Sequence, residues 1–306
     1  MMKNLEQLRQ HFGARLQENI RMAGLTTSRV GGPAACVASC SSAAELAADV
    51  QYLWQHDIPL QVLGSGSNIL VSDQGVDRVI LQNKAKKFVF ETLEDQPVVN
   101  AESGATLITI VREAAQKGYD DLVWASTIPG TLGGAVYGNA GAHGAEMSCN
   151  LVMAEILHRE KGMLSMNAEQ MQYAYRSSIL KRSPGSAVIL SAVLSLRPGD
   201  PQEIKAAIQA NADKRRLTQP SGSSYGSTFK NPAGDSAGRL IEAAGLKGTR
   251  IGGVEISTLH ANFMINDGTG CAQDYRNLML MAQKAVFEKF GVKLELEIEL
   301  IGKWQD

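Results

Sequence analysis

Three stretches of this 306-residue chain hold residue types suited to chemistry. Residues 226–232, GSTFKNP, gather a hydroxyl (Ser227), an ammonium (Lys230) and an amide (Asn231) around one aromatic. Gly226 and Pro232 constrain the backbone on either side. Loops so fixed often carry function, although a plain ordered turn would read the same way. Tyr175-Arg176-Ser177-Ser178 sets an arginine between a tyrosine and two serines. A rigidly held guanidinium is shaped to receive a carboxylate, and a solvated surface arginine is the plainer alternative. Residues 294–302, LELEIELIG, alternate apolar and acidic side chains. A strand with one buried face gives that pattern and turns Glu295, Glu297 and Glu299 all outward, so periodicity singles out none of them.

Two further stretches offer backbone in place of side chains. Residues 126–144, STIPGTLGGAVYGNAGAHG, hold six glycines and few bulky side chains. Glycine lets backbone approach a ligand closely and reaches positive φ without steric cost. A short helix starting near Gly130 and Thr131 would present free N–H groups to an anion, as a cradle for the diphosphate of a large cofactor. Two tight turns around a buried helix would show the same composition. Residues 64–68, GSGSN, form a second loop of this kind, a backbone nest with added hydroxyls or else a hairpin-like connection. This loop is not a Gly-x-Gly-x-x-Gly fingerprint, because Ile69 stands where the third glycine belongs, and no Walker-type lysine loop occurs. Gly222-Ser223-Ser224-Tyr225-Gly226 matches the hydrolase elbow in letters only. That motif needs a core strand before it and a helix after it, and Pro220 and Pro232 stand in those places.

Short strands alternating with helices must position these stretches, which makes the fold α+β or α/β. A leading helix is expected over about 3–19. A β-α-β-loop-β unit follows, with strands at 34–38, 59–63 and 69–72 and a helix over 42–56 capped by Ser42. Strands at 78–82, 87–92 and 97–101 come next, then a helix over 105–117 ended by Gly118. Further strands are expected at 151–158 and 187–196, separated by a helix at about 167–172. Pro198-Gly199-Asp200-Pro201 is the clearest break. Beyond it are expected helices over 201–216, 237–244 and 272–290, with strands at 263–265 and 293–301. These elements divide the chain into an N-terminal segment (1–27), a region of two subdomains (28–76 and 77–199) and a C-terminal domain (200–306).

Composition narrows the partners. Lys and Arg number 30 against 31 Asp and Glu, which leaves no basic footprint for nucleic acid. The basic runs at 84–87 and 214–216 read as solvated surface. No apolar run reaches the roughly 18 residues of a membrane span, and the N-terminal sequence is too polar for a signal peptide. Cys36, Cys40, Cys149 and Cys271 are scattered without pairs, which fits reduced thiols in a cytoplasmic protein. The five histidines show no ligand spacing, so no protein-bound metal is expected.

In order along the chain, TTSRVGGP (26–33), LGSGSNILVSD (63–73), IPGTLGGAVYGNAGAHG (128–144), YRSS (175–178), GSTFKNP (226–232), AGRLIEAAGLKG (237–248), HANFMIN (260–266) and LELEIELIG (294–302) together resemble the UDP-N-acetylenolpyruvoylglucosamine reductases. The resemblance implies an α+β, two-subdomain FAD-binding region of the vanillyl-alcohol-oxidase (PCMH) type, followed by an α+β substrate domain. It implies non-covalent FAD, NADPH as the hydride donor, and a UDP-sugar enolpyruvyl ether as substrate. Another FAD-dependent oxidoreductase on the same scaffold is the alternative. Residue by residue, the resemblance assigns catalysis to Arg176, Ser227 and Glu297. Cofactor binding falls to Gly64, Ser65, Gly66, Ser67, Asn68, Ile128, Pro129, Gly130, Gly133, Gly134, Asn139, Gly141 and Gly144, and substrate binding to Tyr175, Lys230 and Asn231. Three positions depart from the family pattern: Ser28 where an aromatic is usual, Thr127 where glycine is frequent, and Leu296 where proline is common. The short chain, with Tyr175 directly before Arg176, resembles the compact subclass that lacks an extra substrate-covering loop.

Reduction of an enol ether builds negative charge over the adjoining carboxylate, so positive charge and donors are needed there. Arg176 would supply the cation. Glu297 helps only if uncharged, which burial favours. Glu297 is therefore expected to be desolvated, and Glu295 and Glu299 are not. Ser227, a weak acid, would act as proton donor through close positioning.

Overall fold

In the computed structural model, which describes residues 4–304, strands and helices assort into two sheets and a third, smaller unit. The first sheet runs in the order Leu16–Arg21, Pro33–Cys40, Val76–Asn83, Leu60–Leu63. Its last three strands are parallel, and Leu16–Arg21 lies antiparallel at the edge. Helix Ala43–Gln55 makes the crossover. Ser42 accepts a hydrogen bond from the Glu45 N–H at its start (3.1 Å), and Leu46, Val50 and Leu53, spaced along one face, are fully buried.

The second sheet is antiparallel throughout, in the order Gly162–Met166, Leu151–His158, Ala187–Ser195, Gln96–Glu102, Phe88–Leu93. Helices Leu107–Gln116 and Leu132–Gly138 share a core with it, through Ile110, Leu132 and Val136 packed with Ile156 and Leu194. Leu157, Val188 and Leu190 of the same sheet share a second core with Leu46, Val50 and Leu53. The helix of the first sheet thus packs against the second as well, which sets the relative position of the two glycine loops.

The third unit packs helices Ala237–Ala243 and Ala272–Phe290 on a sheet of Arg250–Ile251, Val254–Ile256 and Met264–Asn266. Its chain returns at the end: Glu299–Ile301 pairs in parallel with Ile69–Val71, directly after the 64–68 loop. Asp73 caps the long helix from the same side, accepting from the N–H groups of Ala272 and Gln273 (both 2.9 Å).

Several elements differ from the sequence reading, each for a local reason. The leading helix spans Leu5–Phe12 and stops at Gly13, whose φ of 53° suits glycine; the chain then turns into Leu16–Arg21 (Lys3 lies outside the described residues). Arg15 and His11 both bond Asp49, whose carboxylate is held below its ordinary range by those bonds against the opposing effect of burial. The N-terminal segment is therefore built into the first sheet. That sheet also takes in Val76–Asn83, across the expected division at 76. Residues 167–172 form turns that Gln172, at φ 45°, ends before a helix can continue, and the preceding Gly162–Met166 is a hairpin strand. Helix Pro201–Thr218 rests on Leu107–Gln116 and the Val123–Ala125 turn. The closing strand shrinks to Glu299–Ile301, because residues 295–297 pair first with the 228–230 segment and the chain bends before joining Ile69–Val71. Among the described residues, no helix is long and apolar enough to cross a membrane.

Candidate active site

The two glycine loops face one another. A Cβ on Gly64 would stand 2.4 Å from Thr131 Oγ1, closer than any side chain tolerates. Gly130, at φ 123°, turns beside the hydroxyls of Ser67 and Ser65, which a Cβ there would meet at 3.1 and 4.0 Å. Gly66, at φ 66°, presses on the Leu25 carbonyl, and Gly133 on the Ser103 Cβ. Ser65 and Asn68 are exposed, as are Pro129 and Gly134, while Ile128 is half-buried. Backbone and hydroxyls of the two loops therefore meet along one edge, packed too closely at Gly64, Gly66 and Gly133 for a side chain.

Past the short helix, Asn139 adopts φ 47° and ends it. Its side chain is fully buried, with Nδ2 on the Ala174 carbonyl (3.1 Å) and Oδ1 on the Ser148 N–H (3.0 Å). This corrects the sequence reading of Asn139 as a cofactor contact: its amide is spent on tying the glycine stretch to the arginine turn. Gly141 lies under that arginine, 2.9 Å from Arg176 Nη1 to a would-be Cβ, and Gly144, at φ 88°, is open to solvent.

Arg176 sits at φ 53° in a tight turn whose Ala174 and Ser177 bond each other in both directions. A non-glycine residue there carries strain of order 1–3 kcal/mol, offset by unusually dense anchoring. Nη2 donates to the Gly141 carbonyl (2.6 Å), Nη1 to Asn139 O (3.5 Å), and the guanidinium lies over the Tyr175 ring at 5.0 Å. Nε donates to Glu297 Oε1 at 3.1 Å. The Glu297 N–H bonds the Thr228 carbonyl (2.9 Å), so Ser227, half-buried and one residue earlier, stands beside the acid's backbone partner. Leu296 falls between the two backbone bonds of this pairing, which run through Lys230 N–H and Glu297 N–H. Its own N–H is not needed there, so leucine and proline suit the position equally.

Burial pushes the Glu297 carboxyl above its ordinary range; Arg176, Lys181 and Lys230 pull it back without cancelling that. Glu299 is also raised by burial, against the expectation that it would be solvated: its side chain turns toward Lys181 where the chain bends. Glu295 alone of the three is well exposed, and pairs with Lys230 at 3.4 Å. Asn231 is exposed, but its Oδ1 already accepts from the Ala237 N–H (3.0 Å), which makes it a cap for helix Ala237–Ala243. Ser224 lies among isolated bridges with no helix until residue 237, so the elbow geometry does not form.

Two cations were not legible in the sequence. Arg215 belongs to the run read as solvated surface, yet it donates to the Thr127 carbonyl of the glycine stretch, and burial lowers its pKa. Lys181, five residues beyond Arg176 on helix Ile179–Arg182, donates to the Glu297 carbonyl at 3.4 Å. A lysine in a four-residue helix gives no periodic signal.

The glycine loops of the two sheets lead to an arginine–carboxyl pair completed by the third unit, and the family models and relatives that the chain matches identify it as an FAD-dependent oxidoreductase. Residues 34–165 match the family model for an FAD binding domain, and residues 218–301 that of the UDP-N-acetylenolpyruvoylglucosamine reductase C-terminal domain. The chain is 39% identical over 94% of its length to the UDP-N-acetylenolpyruvoylglucosamine reductase of Chloroflexus aggregans, covering 97% of that protein. It is 38% identical to that of Bacillus subtilis, with 99% of each chain covered. The crystal structure of the Thermus caldophilus UDP-N-acetylenolpyruvylglucosamine reductase superposes with a TM-score of 0.78 at 33% identity, covering 94% of this chain and 99% of that one. The chain belongs to the UDP-N-acetylenolpyruvoylglucosamine reductase family.

Proposed function

We propose that this chain reduces UDP-N-acetylglucosamine enolpyruvate to UDP-N-acetylmuramate with NADPH and FAD, in peptidoglycan precursor synthesis, and that Arg176, Ser227 and Glu297 carry the substrate half of the reaction. The observation that supports this most directly is the 3.1 Å contact between Arg176 and a carboxyl raised by burial, on a segment paired with the one that bears Ser227. Gly64, Gly66 and Gly130 let the two loops pack directly on one another and on the Leu25 carbonyl, which brings backbone and the Ser65 and Ser67 hydroxyls together, and such a polar, backbone-rich edge suits a large, diphosphate-bearing cofactor. Residues 64–68 and 128–134, with Gly141 and Gly144, would hold it without a covalent link. FAD held there would supply the hydride chemistry that links NADPH to the vinyl group of the substrate.

Arg176, already clamped by Gly141 and Tyr175, would receive the substrate carboxylate and offset the charge that builds there. Glu297, whose carboxyl burial pushes toward the uncharged form, would in that form add a hydrogen bond to the same developing charge. Ser227 would deliver the proton to the carbon next to the carboxylate. Tyr175 and Lys230 would contact the UDP-sugar, and Asn231 would keep their loop in place through its cap. The use of NADPH and a nucleotide sugar supports a cytoplasmic location for the reaction.

Single-turnover kinetics separate the roles. In the Ser227→Ala enzyme, flavin reduction by NADPH stays near normal and reoxidation by the enolpyruvyl substrate collapses. An equal fall in both half-reactions would make Ser227 structural and end the assignment.

A further inference from the structure

Three carboxyls on one segment each meet a cation from a different element. Glu295 faces Lys230 at 3.4 Å, Glu297 faces Arg176 at 3.1 Å, and Glu299 faces Lys181 at 3.9 Å. The Glu295 carboxylate is 76% exposed, which leaves that pair screened by water, whereas the Lys181 side chain is only 16% exposed. Lys181 also donates to the Glu297 carbonyl at 3.4 Å, and Asn68 Nδ2 donates to the same oxygen at 3.2 Å. One carbonyl therefore joins the 64–68 loop, the helix after Arg176 and the acid itself. It lies where the chain leaves the 228–230 segment and bends toward Ile69–Val71.

We propose that Lys181 is a positioning residue for the reduction: it fixes Glu297 at this bend and, balanced by Glu299, sets whether the Glu297 carboxyl carries a proton. This rests on the reading of Glu297 as an uncharged acid. A lone cation here would draw Glu297 toward its charged form and out of that role. Glu299 offsets the cation.

The charged and titratable groups around Glu297 come from every neighbouring element. Arg176 faces it from the tight turn, Lys181 from helix Ile179–Arg182 and Lys230 from the serine loop. Glu295 and Glu299 flank it on its own segment. Tyr137, from helix Leu132–Gly138, faces Glu299, and burial keeps its phenol neutral. Burial raises Glu297 and lowers Lys181, so both groups are displaced toward neutrality and a single neighbouring charge weighs heavily.

The test compares K181M, K181R, E299Q and E297Q as FAD-loaded enzymes. The readouts are flavin reoxidation by substrate across pH, flavin reduction by NADPH, FAD content, and a carboxyl-carbon NMR titration of Glu297 assigned by its loss in E297Q. A step that needs the uncharged acid slows as pH rises through its pKa. Removing a cation in K181M moves that fall, and the NMR titration, to higher pH by about half to one pH unit. E299Q removes the compensating anion and moves both to lower pH, while K181R leaves both in place. Opposite movements from the two variants, with NADPH reduction and FAD content retained, are the expected result. Titrations that stay put, or move the same way in both, overturn the proposal even if rates fall. Should E297Q keep both the rate and its pH profile, the role of Glu297 itself fails. Should E297Q lose the rate while K181M and E299Q leave the NMR titration unmoved, only the role of Lys181 fails.

Discussion

At residues 64–68 and 128–134 the groups proposed to hold the cofactor are mostly backbone, and Gly64, Gly66 and Gly133 stand where a side chain would collide with a neighbouring segment. At 176, 227 and 297 the proposed groups are side chains from three segments, linked in the folded chain by the Arg176–Glu297 contact and the bond from Glu297 N–H to Thr228. The first region depends on shape, so a side chain added at Gly64, Gly66 or Gly133 harms it. The second depends on chemistry at fixed positions, so a change of functional group harms it while the shape survives. One region should therefore fail by losing its cofactor, and the other by losing one half of the reaction.

Gly64→Val is the harshest test of that contrast. The new side chain would collide with Thr131, and the purified protein is expected to lose its visible flavin absorbance and both half-reactions together. A yellow, active G64V enzyme would break the contrast at once. Ser227→Ala is expected to slow reoxidation by about 10²–10⁴-fold while leaving the flavin bound. Arg176→Lys keeps the charge but loses the fork and its bond to Gly141, for an expected fall of about 10²–10³-fold in reoxidation. Full activity in R176K would exclude planar carboxylate binding. Asn139→Ala sits on the border between the regions. Stripping its two buried bonds is expected to lower unfolding stability by about 1–3 kcal/mol, read by denaturant melts, and to weaken both regions together. Ser42→Ala, remote from both, is expected to cost about 1 kcal/mol of stability and leave both half-reactions alone.

The same contrast explains what could be read in advance. Glycine spacing is local, so both loops were visible in the sequence, as was helix Ala43–Gln55 with its Ser42 cap. The trio at 176, 227 and 297 emerged only through resemblance to a family, since nothing in a linear pattern brings those positions together. Periodicity misjudged Glu299, because it assumes one strand with one partner, and this chain changes partner between Leu296 and Glu299. Lys181 and Arg215 were hidden for a related reason. Each looks like ordinary surface charge until another segment packs over it. Asn139 shows the opposite error: a polar residue within a glycine stretch looks available, and the fold uses both ends of its amide.

The pairing of Glu299–Ile301 with Ile69–Val71 also has a bearing on synthesis. Asn68 and Glu297 are 229 positions apart, so the acid's surroundings cannot form until residue 297 has left the ribosome. Ile301 is also buried with Met22, Val37 and Ile80, so the core of the first sheet is itself completed only when the end of the third unit arrives.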